Sequence, residues 1–118
     1  MAGSERDRDS VGLTPESQTN LAALDALGWW PDELQDIAKF ALAYAIRVGF
    51  PAGETAGTET RWAAGNFDKT GEIRTLLAAV YPDCVTPVRL MEHLVNEGLR
   101  LIAQRVKSGN VSPGDLLS

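Results

Sequence analysis

Residues 70–107, TGEIRTLLAAVYPDCVTPVRLMEHLVNEGLRLIAQRVK, decide the fold of the C-terminal half because they contain two amphipathic patterns separated by a proline. Thr70 is suited to cap the first helix, since a threonine hydroxyl can accept a hydrogen bond from the first turn. Pro82 ends this helix, because proline cannot continue the backbone hydrogen bonds. Spacings of three and four predict one apolar helical stripe, made by Ile73, Leu76, Leu77 and Val80.

A longer second helix is predicted to begin at Thr86-Pro87. Threonine is a good capping residue, and proline is favoured at the first helical position because its missing N–H has no partner there. Ser108-Gly109 is typical of a helix end. The apolar stripe between these limits comprises Met91, Leu94, Val95, Leu101, Ile102 and Val106. The two patterns together predict helices that pack through their apolar faces.

The chain is predicted to begin with a tail. Residues 1–9 combine glycine, serine and alternating charges with almost no apolar side chain, so they cannot contribute to a core. We therefore expect a disordered tail over residues 1–13 and a single helical domain over residues 14–118.

Two helices are predicted between Thr14 and Gly49. A capping pattern at Thr14 begins a short helix that ends at Gly28. Its apolar residues are Leu21, Leu24 and Leu27. Pro31 and two acidic residues begin the next helix, since negative charge in the first turn suits the helix dipole. The many alanines of this second helix favour close approach by a neighbouring helix.

Residues 50–69 interrupt the helical pattern with several glycines and threonines. Arg61-Trp62 could form a short strand at an interface, because both residue types are enriched in protein contacts; alternatively, Trp62 closes the end of the helical bundle. No Gly-Lys-Ser/Thr ends the segment, so it does not match a phosphate-binding loop. The predicted fold class is all-α, a compact bundle of about four helices with an irregular segment at 50–69.

The formal net charge is −5 and is unevenly distributed. Residues 1–60 hold ten acidic and four basic residues, whereas residues 61–118 hold six acidic and seven basic residues, a balance of about +1. Acidity argues against the simplest DNA-binding interpretation, because lysine and arginine supply most non-specific affinity for DNA. Either an oligomer gathers the basic residues of the second half into one patch, or the acidic half binds a basic protein.

The sequence gives little support to catalysis or metal binding. Cys84 is the only cysteine and His93 the only histidine, so neither a disulfide framework nor a zinc site is expected. No nucleophile-elbow motif is present, which predicts a non-enzymatic protein without a cofactor. No 18-residue apolar run and no charged-then-apolar amino terminus occur, which predicts a cytoplasmic protein without a membrane span.

One polar face of the last helix is the candidate binding surface. Its residues recur at alternating steps of four and three, and this predicted ridge consists of Arg89, His93, Asn96, Arg100, Gln104 and Lys107. Arginine and asparagine on a helix can contact phosphates and sugars without reading base sequence. The alternative is an ordinary solvated face, in which Arg89 with Glu92 and His93 with Glu97 form pairs worth roughly 0.2–0.5 kcal/mol each.

The order of these elements resembles the DndE family of DNA sulfur modification proteins. The resemblance covers roughly two thirds of the chain. It is carried by the alanine-rich segment 37–48 with Gly49-Phe50, Arg61-Trp62, LLAAVYP at 76–82, HLVNEGL at 93–99 and DLL at 115–117. It implies a small helical protein that assembles as a tetramer, binds DNA and accompanies enzymes that replace a non-bridging phosphate oxygen with sulfur.

Two main hypotheses follow from this resemblance. In the first, the predicted ridge holds the DNA backbone, with Arg61, Lys69 and Arg74 nearby in the tetramer. In the second, the chain is an adaptor in phage defence that docks on the sulfur-modification enzymes. The interface would then include the alanine-rich helix and the tryptophans Trp29, Trp30 and Trp62. A third interpretation, a ribbon-helix-helix-like regulator, lacks the basic strand that should precede the helix pair.

Overall fold

Two short strands and five helices make up the part of the chain that the structure describes. A computed structural model describes residues 6–109 together with Gly114 and Leu116. The elements, in chain order, are β1 (Ser10–Leu13), α1 (Pro15–Asp25), α2 (Leu34–Arg47), β2 (Glu59–Ala63), α3 (Ala64–Phe67), α4 (Glu72–Val80) and α5 (Pro87–Ser108). The radius of gyration is 13.8 Å, close to the value of about 13.5 Å expected for a compact chain of this length. The predicted compact, mostly helical fold is confirmed, with a small sheet in addition.

The core forms where α2 packs against α5. Ala38, Ala41 and Ala45 of α2 have no exposed surface, and α5 contributes a fully buried apolar stripe. At Gly98 of α5, an added Cβ would overlap the carbonyl oxygen of Ala41. The small residues therefore allow the two backbones to approach closely, as the alanine content of this helix predicted.

The prediction of a disordered tail over residues 1–13 was wrong for the four residues of β1. This strand is buried throughout and pairs antiparallel with β2. Val11 and Leu13 both enter the core with no exposed surface. The apolar alternation of β1 is too short to stand out beside the charged residues before it. Residues 1–5 lie outside the described residues.

The second strand lies in the segment predicted to be irregular. β2 includes Arg61 and Trp62, so the short strand that was one of the two possibilities for this segment is present. Its pairing with β1 is irregular between Val11 and Gly12, so that Arg61 has no Cα partner in the register. An extra residue of this kind bends a strand locally.

The predicted limits of α5 are confirmed, whereas α1 and α2 are shorter than expected. α1 ends at Asp25 rather than at Gly28, so Leu27 lies outside the helix and is exposed. α2 begins at Leu34 rather than near Pro31.

The capping residue of α4 differs from the prediction. The carboxylate of Asp68 accepts hydrogen bonds from the backbone N–H groups of Ile73 and Arg74, at 3.0 and 3.1 Å. The Thr70 hydroxyl is only a weak acceptor for the first turn, at 3.4 Å. A carboxylate is the stronger cap because it also suits the positive end of the helix dipole.

Candidate functional site

Asn96, at the centre of the predicted ridge, connects two elements of the fold. It is 3% exposed, its Nδ2 donates to the carbonyl of Gly12 at 3.0 Å, and its Oδ1 accepts from the N–H of Thr14 at 3.0 Å. The neighbouring Glu92 is 1% exposed, accepts from the N–H of Gly12 at 2.9 Å and lies 3.5 Å from the guanidinium of Arg8. Asn96 therefore does not lie on the exposed polar face that the spacing predicted, because β1 covers this side of α5.

Arg89 is held by the chain segments on either side of it. Its Nε donates to the carbonyl of Arg6 at 2.6 Å, and its Nη1 lies 3.7 Å from the carboxylate of Glu54. The carboxylate of Asp7 accepts from two backbone N–H groups in the first turn of α5, at 2.9 and 3.0 Å. Asp7 therefore caps α5, whereas the side chain of Thr86 makes no capping hydrogen bond.

His93 lies against the loop that follows α2. Its Nδ1 is 2.9 Å from the hydroxyl oxygen of Thr55, and its ring centroid is 5.6 Å from that of Phe50. The ring also covers Gly53, where an added Cβ would come within 2.9 Å of Nε2. Burial lowers the pKa of His93, while two neighbouring glutamates act to raise it. The ring therefore positions the loop, and it is a poor source of positive charge at neutral pH.

The C-terminal half of the predicted ridge is more accessible. Arg100, Gln104 and Lys107 share one face of α5, and Gln104 and Lys107 are exposed. Arg100 donates two hydrogen bonds to the carboxylate of Glu97, at 2.6 and 2.8 Å. Half of the ridge therefore faces solvent, and one of its two cations is already paired.

The three basic residues expected beside the ridge lie in different surroundings. Arg61 is exposed on β2, with its guanidinium 5.5 Å from the ring centroid of Trp62. Lys69 is exposed in the turn before α4, and Arg74 lies 3.1 Å from the buried carboxylate of Asp68. The three line three different surface pockets, and the guanidinium of Arg74 is already used by Asp68.

The predicted interface tryptophans are half-buried. Trp62 packs on Phe67 at a ring distance of 5.5 Å, in agreement with the alternative that it closes the end of the bundle. Trp29 lies 5.5 Å from Trp30, which in turn contacts Phe40 edge-on at 5.2 Å. Trp30 and Trp62 also pack on the core, so much of their surface is used inside the fold.

An exposed apolar surface on α4 and the loop after it was missed by the sequence prediction. Only Leu77 of α4 is buried, although the helix was expected to turn a whole apolar stripe to the core. Leu76 and Val80, one turn apart, are 44% and 43% exposed, and Val85 in the loop is 67% exposed. We call these three residues the α4 patch. They remain exposed because this short helix turns only Leu77 and, in part, Ile73 toward the core.

A groove of about 510 Å³ lies beside the α4 patch. One wall is formed by residues 52–54 and the other by residues 80–86. The hydroxyl of Tyr81 donates to the carbonyl of Phe50 at 2.6 Å, which ties the two walls together. Burial raises the pKa of Tyr81, so the phenol keeps the proton that this bond requires. The remaining lining is largely apolar, with Glu54 and Asp83 as its ionisable carboxylates.

Other functional groups near the groove are few. Cys84 is half-buried, with its Sγ 3.9 Å from the hydroxyl oxygen of Thr86. Within residues 6–109, Gly114 and Leu116, no cluster of three or more His, Cys, Asp or Glu side chains could hold a metal ion.

In the same part of the chain, no helix has the length and apolar character needed to cross a membrane.

The fold and its surfaces define a small, mostly helical protein with one two-stranded sheet and an exposed apolar patch beside an acidic groove. No protein-family model matches the chain, and neither does any curated protein or solved structure. Its function is therefore inferred from its own residues and from the motif resemblance.

Proposed function

We propose that this chain is a non-enzymatic accessory protein of a DNA phosphorothioation or related phage-defence system, and that it acts as an adaptor that docks on a protein partner. The observation that carries the proposal is the exposure of the α4 patch. Neighbouring exposed apolar side chains favour protein contacts, because association removes them from water. By contrast, much of the predicted DNA-binding ridge is used inside the fold. A net charge of −5 favours the same choice, because phosphate repels an acidic protein.

The motif resemblance suggests the class of partner. Within HLVNEGL at 93–99, Asn96 holds β1 and Gly98 admits the backbone of α2. Within LLAAVYP at 76–82, Tyr81 ties the walls of the groove, and the exposed apolar residues of α4 precede it. The motifs that resemble DndE thus include residues that build the fold and residues that border the docking surface. We therefore expect the partner to be a sulfur-modification enzyme.

A capture experiment tests the adaptor function. The tagged chain is mixed with purified sulfur-modification enzymes of a phosphorothioation system, and the retained enzyme is measured at low and at high salt. An apolar contact should survive high salt, whereas Val80→Glu and Val85→Glu should each reduce retention about tenfold, since they place a charge in an apolar interface. Val48→Glu is the matched control, because Val48 is 50% exposed at the end of α2 and does not line the groove.

Unfolding measurements show whether a loss of capture comes from a lost contact or from a loss of folding. All three variants should unfold at the same urea concentration as the parent, since each replaces an exposed side chain. Unchanged retention in both patch variants, or an equal loss in Val48→Glu, would contradict the adaptor function.

DNA binding is a second candidate, favoured by the charge at the end of α5. Residues 100–107 include Arg100, Arg105 and Lys107 and no acidic residue. Several copies of this end in an oligomer would form a larger basic surface for the DNA backbone.

A mobility-shift titration with intact, nicked and single-stranded DNA at two salt concentrations, beside light scattering for mass, tests this candidate. Salt-sensitive binding that is lost in Arg100→Glu and Lys107→Glu but kept in Lys39→Glu would support it. Absence of binding at low salt would exclude it.

A further inference from the structure

The groove beside the α4 patch is held in one shape by bonds on both sides. The Tyr81 hydroxyl joins one wall to the Phe50 carbonyl, and the ring of His93 is hydrogen-bonded to Thr55, just beyond the other wall. The N–H of Cys84 donates to the carbonyl of Tyr81 at 3.0 Å, which closes the turn within the second wall. A preformed groove binds more tightly than a mobile one, because less conformational entropy is lost on binding.

The charge of the groove favours a cation. Ten residues line it, and they include two carboxylates, Glu54 and Asp83, and no lysine or arginine. Glu54 is 58% exposed and makes only a long contact with Arg89, at 3.7 Å. Asp83 is exposed, and no salt bridge within the described residues involves it. A positively charged group of a partner would therefore meet two carboxylates that have little competition.

The remaining lining narrows the choice of cation. Tyr81 offers an aromatic ring, and Val80 and Val85 make the groove continuous with the α4 patch. A guanidinium can stack on an aromatic face while its fork of N–H groups binds carboxylates, whereas an ammonium is a compact and strongly hydrated charge. The volume of about 510 Å³ lies within the range of roughly 300–1000 Å³ that is usual for pockets binding small ligands.

We propose that this groove binds an arginine side chain that the partner protein presents between apolar residues, with the guanidinium on Glu54 and Asp83 and the apolar neighbours on the α4 patch. This inference rests on the proposed adaptor function and adds the chemistry of the partner segment. The contact between arginine and the groove determines the specificity of docking, and the α4 patch contributes much of the apolar contact area.

Two capped synthetic peptides are suitable probes, Val-Leu-Arg-Leu-Val and the same peptide with citrulline in place of arginine. Citrulline keeps the shape of the side chain and removes its charge. We expect the arginine peptide to shift the backbone amide resonances of Glu54, Asp83 and Val85 in the 15N-labelled chain. The citrulline peptide should bind about tenfold more weakly, because charge-assisted hydrogen bonds are lost. Equal affinity for the two peptides, or shifts outside the groove only, would overturn the proposal.

A double variant, Glu54→Gln with Asp83→Asn, tests the same contact from the side of the groove. It should lose the preference for arginine over citrulline, and its capture of the partner should fall about tenfold. The matched control is Glu16→Gln with Asp32→Asn, which removes the same charge from exposed positions outside the groove.

The outcomes separate the two proposals. If Val85→Glu abolishes capture while the double variant captures normally and citrulline binds as well as arginine, the arginine inference is wrong and the adaptor function stands. If none of the variants changes capture, the adaptor function is wrong as well.

Discussion

The helices α4 and α5 come from one stretch of sequence with the same kind of amphipathic pattern, yet their surfaces are used in opposite ways. The polar face of α5 is partly internal, since Glu92 and Asn96 are buried against β1. The apolar face of α4 is partly external, since Leu76 and Val80 are exposed. Periodicity identifies the residues that share a face of a helix. Whether that face is covered depends on neighbours that the local pattern does not contain.

Two adjacent leucines give the sharpest contrast. Leu77→Ala should lower the free energy of unfolding by about 2–5 kcal/mol, because it removes a fully buried side chain and leaves a cavity. Leu76→Ala should lower it by about 1 kcal/mol or less, since Leu76 is already 44% exposed to water. Urea unfolding followed by circular dichroism measures both. Similar values for the two variants would mean that Leu76 is covered in solution, for example by a second copy of the chain.

Asn96 and Gln104 separate structural from accessible residues on the predicted ridge. Asn96→Ala should cost about 2–3 kcal/mol of stability, because the Gly12 carbonyl and the Thr14 N–H lose their buried partner. Gln104→Ala should be neutral within about 0.5 kcal/mol, since Gln104 is exposed. If Asn96→Ala kept full stability and lost DNA binding instead, the statement that the polar face of α5 is partly internal would be wrong.

His93 should make a smaller contribution to the free energy of unfolding, and this contribution depends on pH. Burial lowers the pKa of His93 in the folded chain below its ordinary value of 6.5. At pH values between the pKa of His93 in the folded chain and its pKa in the unfolded chain, the unfolded chain therefore binds more protons. The contribution of His93 should therefore be complete above about pH 6.5, and it should be lost as the pH falls through the folded pKa. Its carboxylate neighbours Glu54 and Glu97 limit the size of the effect.

The measurement is the difference in unfolding free energy between about pH 7.5 and pH 5.5, for the parent chain and for His93→Gln. The parent should lose more stability on acidification. Parallel pH profiles would show that the ring is solvated rather than covered by the loop after α2.

Much of the helical fold could be predicted because its signals are local. The Thr86-Pro87 start of α5 and the alanines of α2 need no knowledge of distant residues. β1 could not be predicted in this way, because four residues carry a weak pattern and are buried only through contacts far along the chain. The same holds for Asp7, whose role as a cap depends on a helix that begins 80 residues later.

The candidate site was less predictable than the fold. Asn96 fitted a polar helical face by spacing, and only the position of β1 shows that it is buried. Leu76 and Leu77 have the same side chain at adjacent positions, and sequence alone could not assign one to the core and the other to solvent. The groove brings together residues near 53 and 83 through the Tyr81–Phe50 bond, a pairing that no spacing rule predicts.

The attachment of β1 to α5 also has a consequence for protein synthesis. The partners in these hydrogen bonds are 80 or more residues apart, so β1 is synthesised long before Glu92 and Asn96 are added. At about 5–20 residues per second, the interval between the synthesis of β1 and the addition of these partners is about 4–16 seconds. During this time Val11 and Leu13 lack the part of the core that α5 supplies, and the nascent chain presents apolar surface that chaperones can bind. The packing of β1 is therefore completed only after α5 has emerged and can receive it.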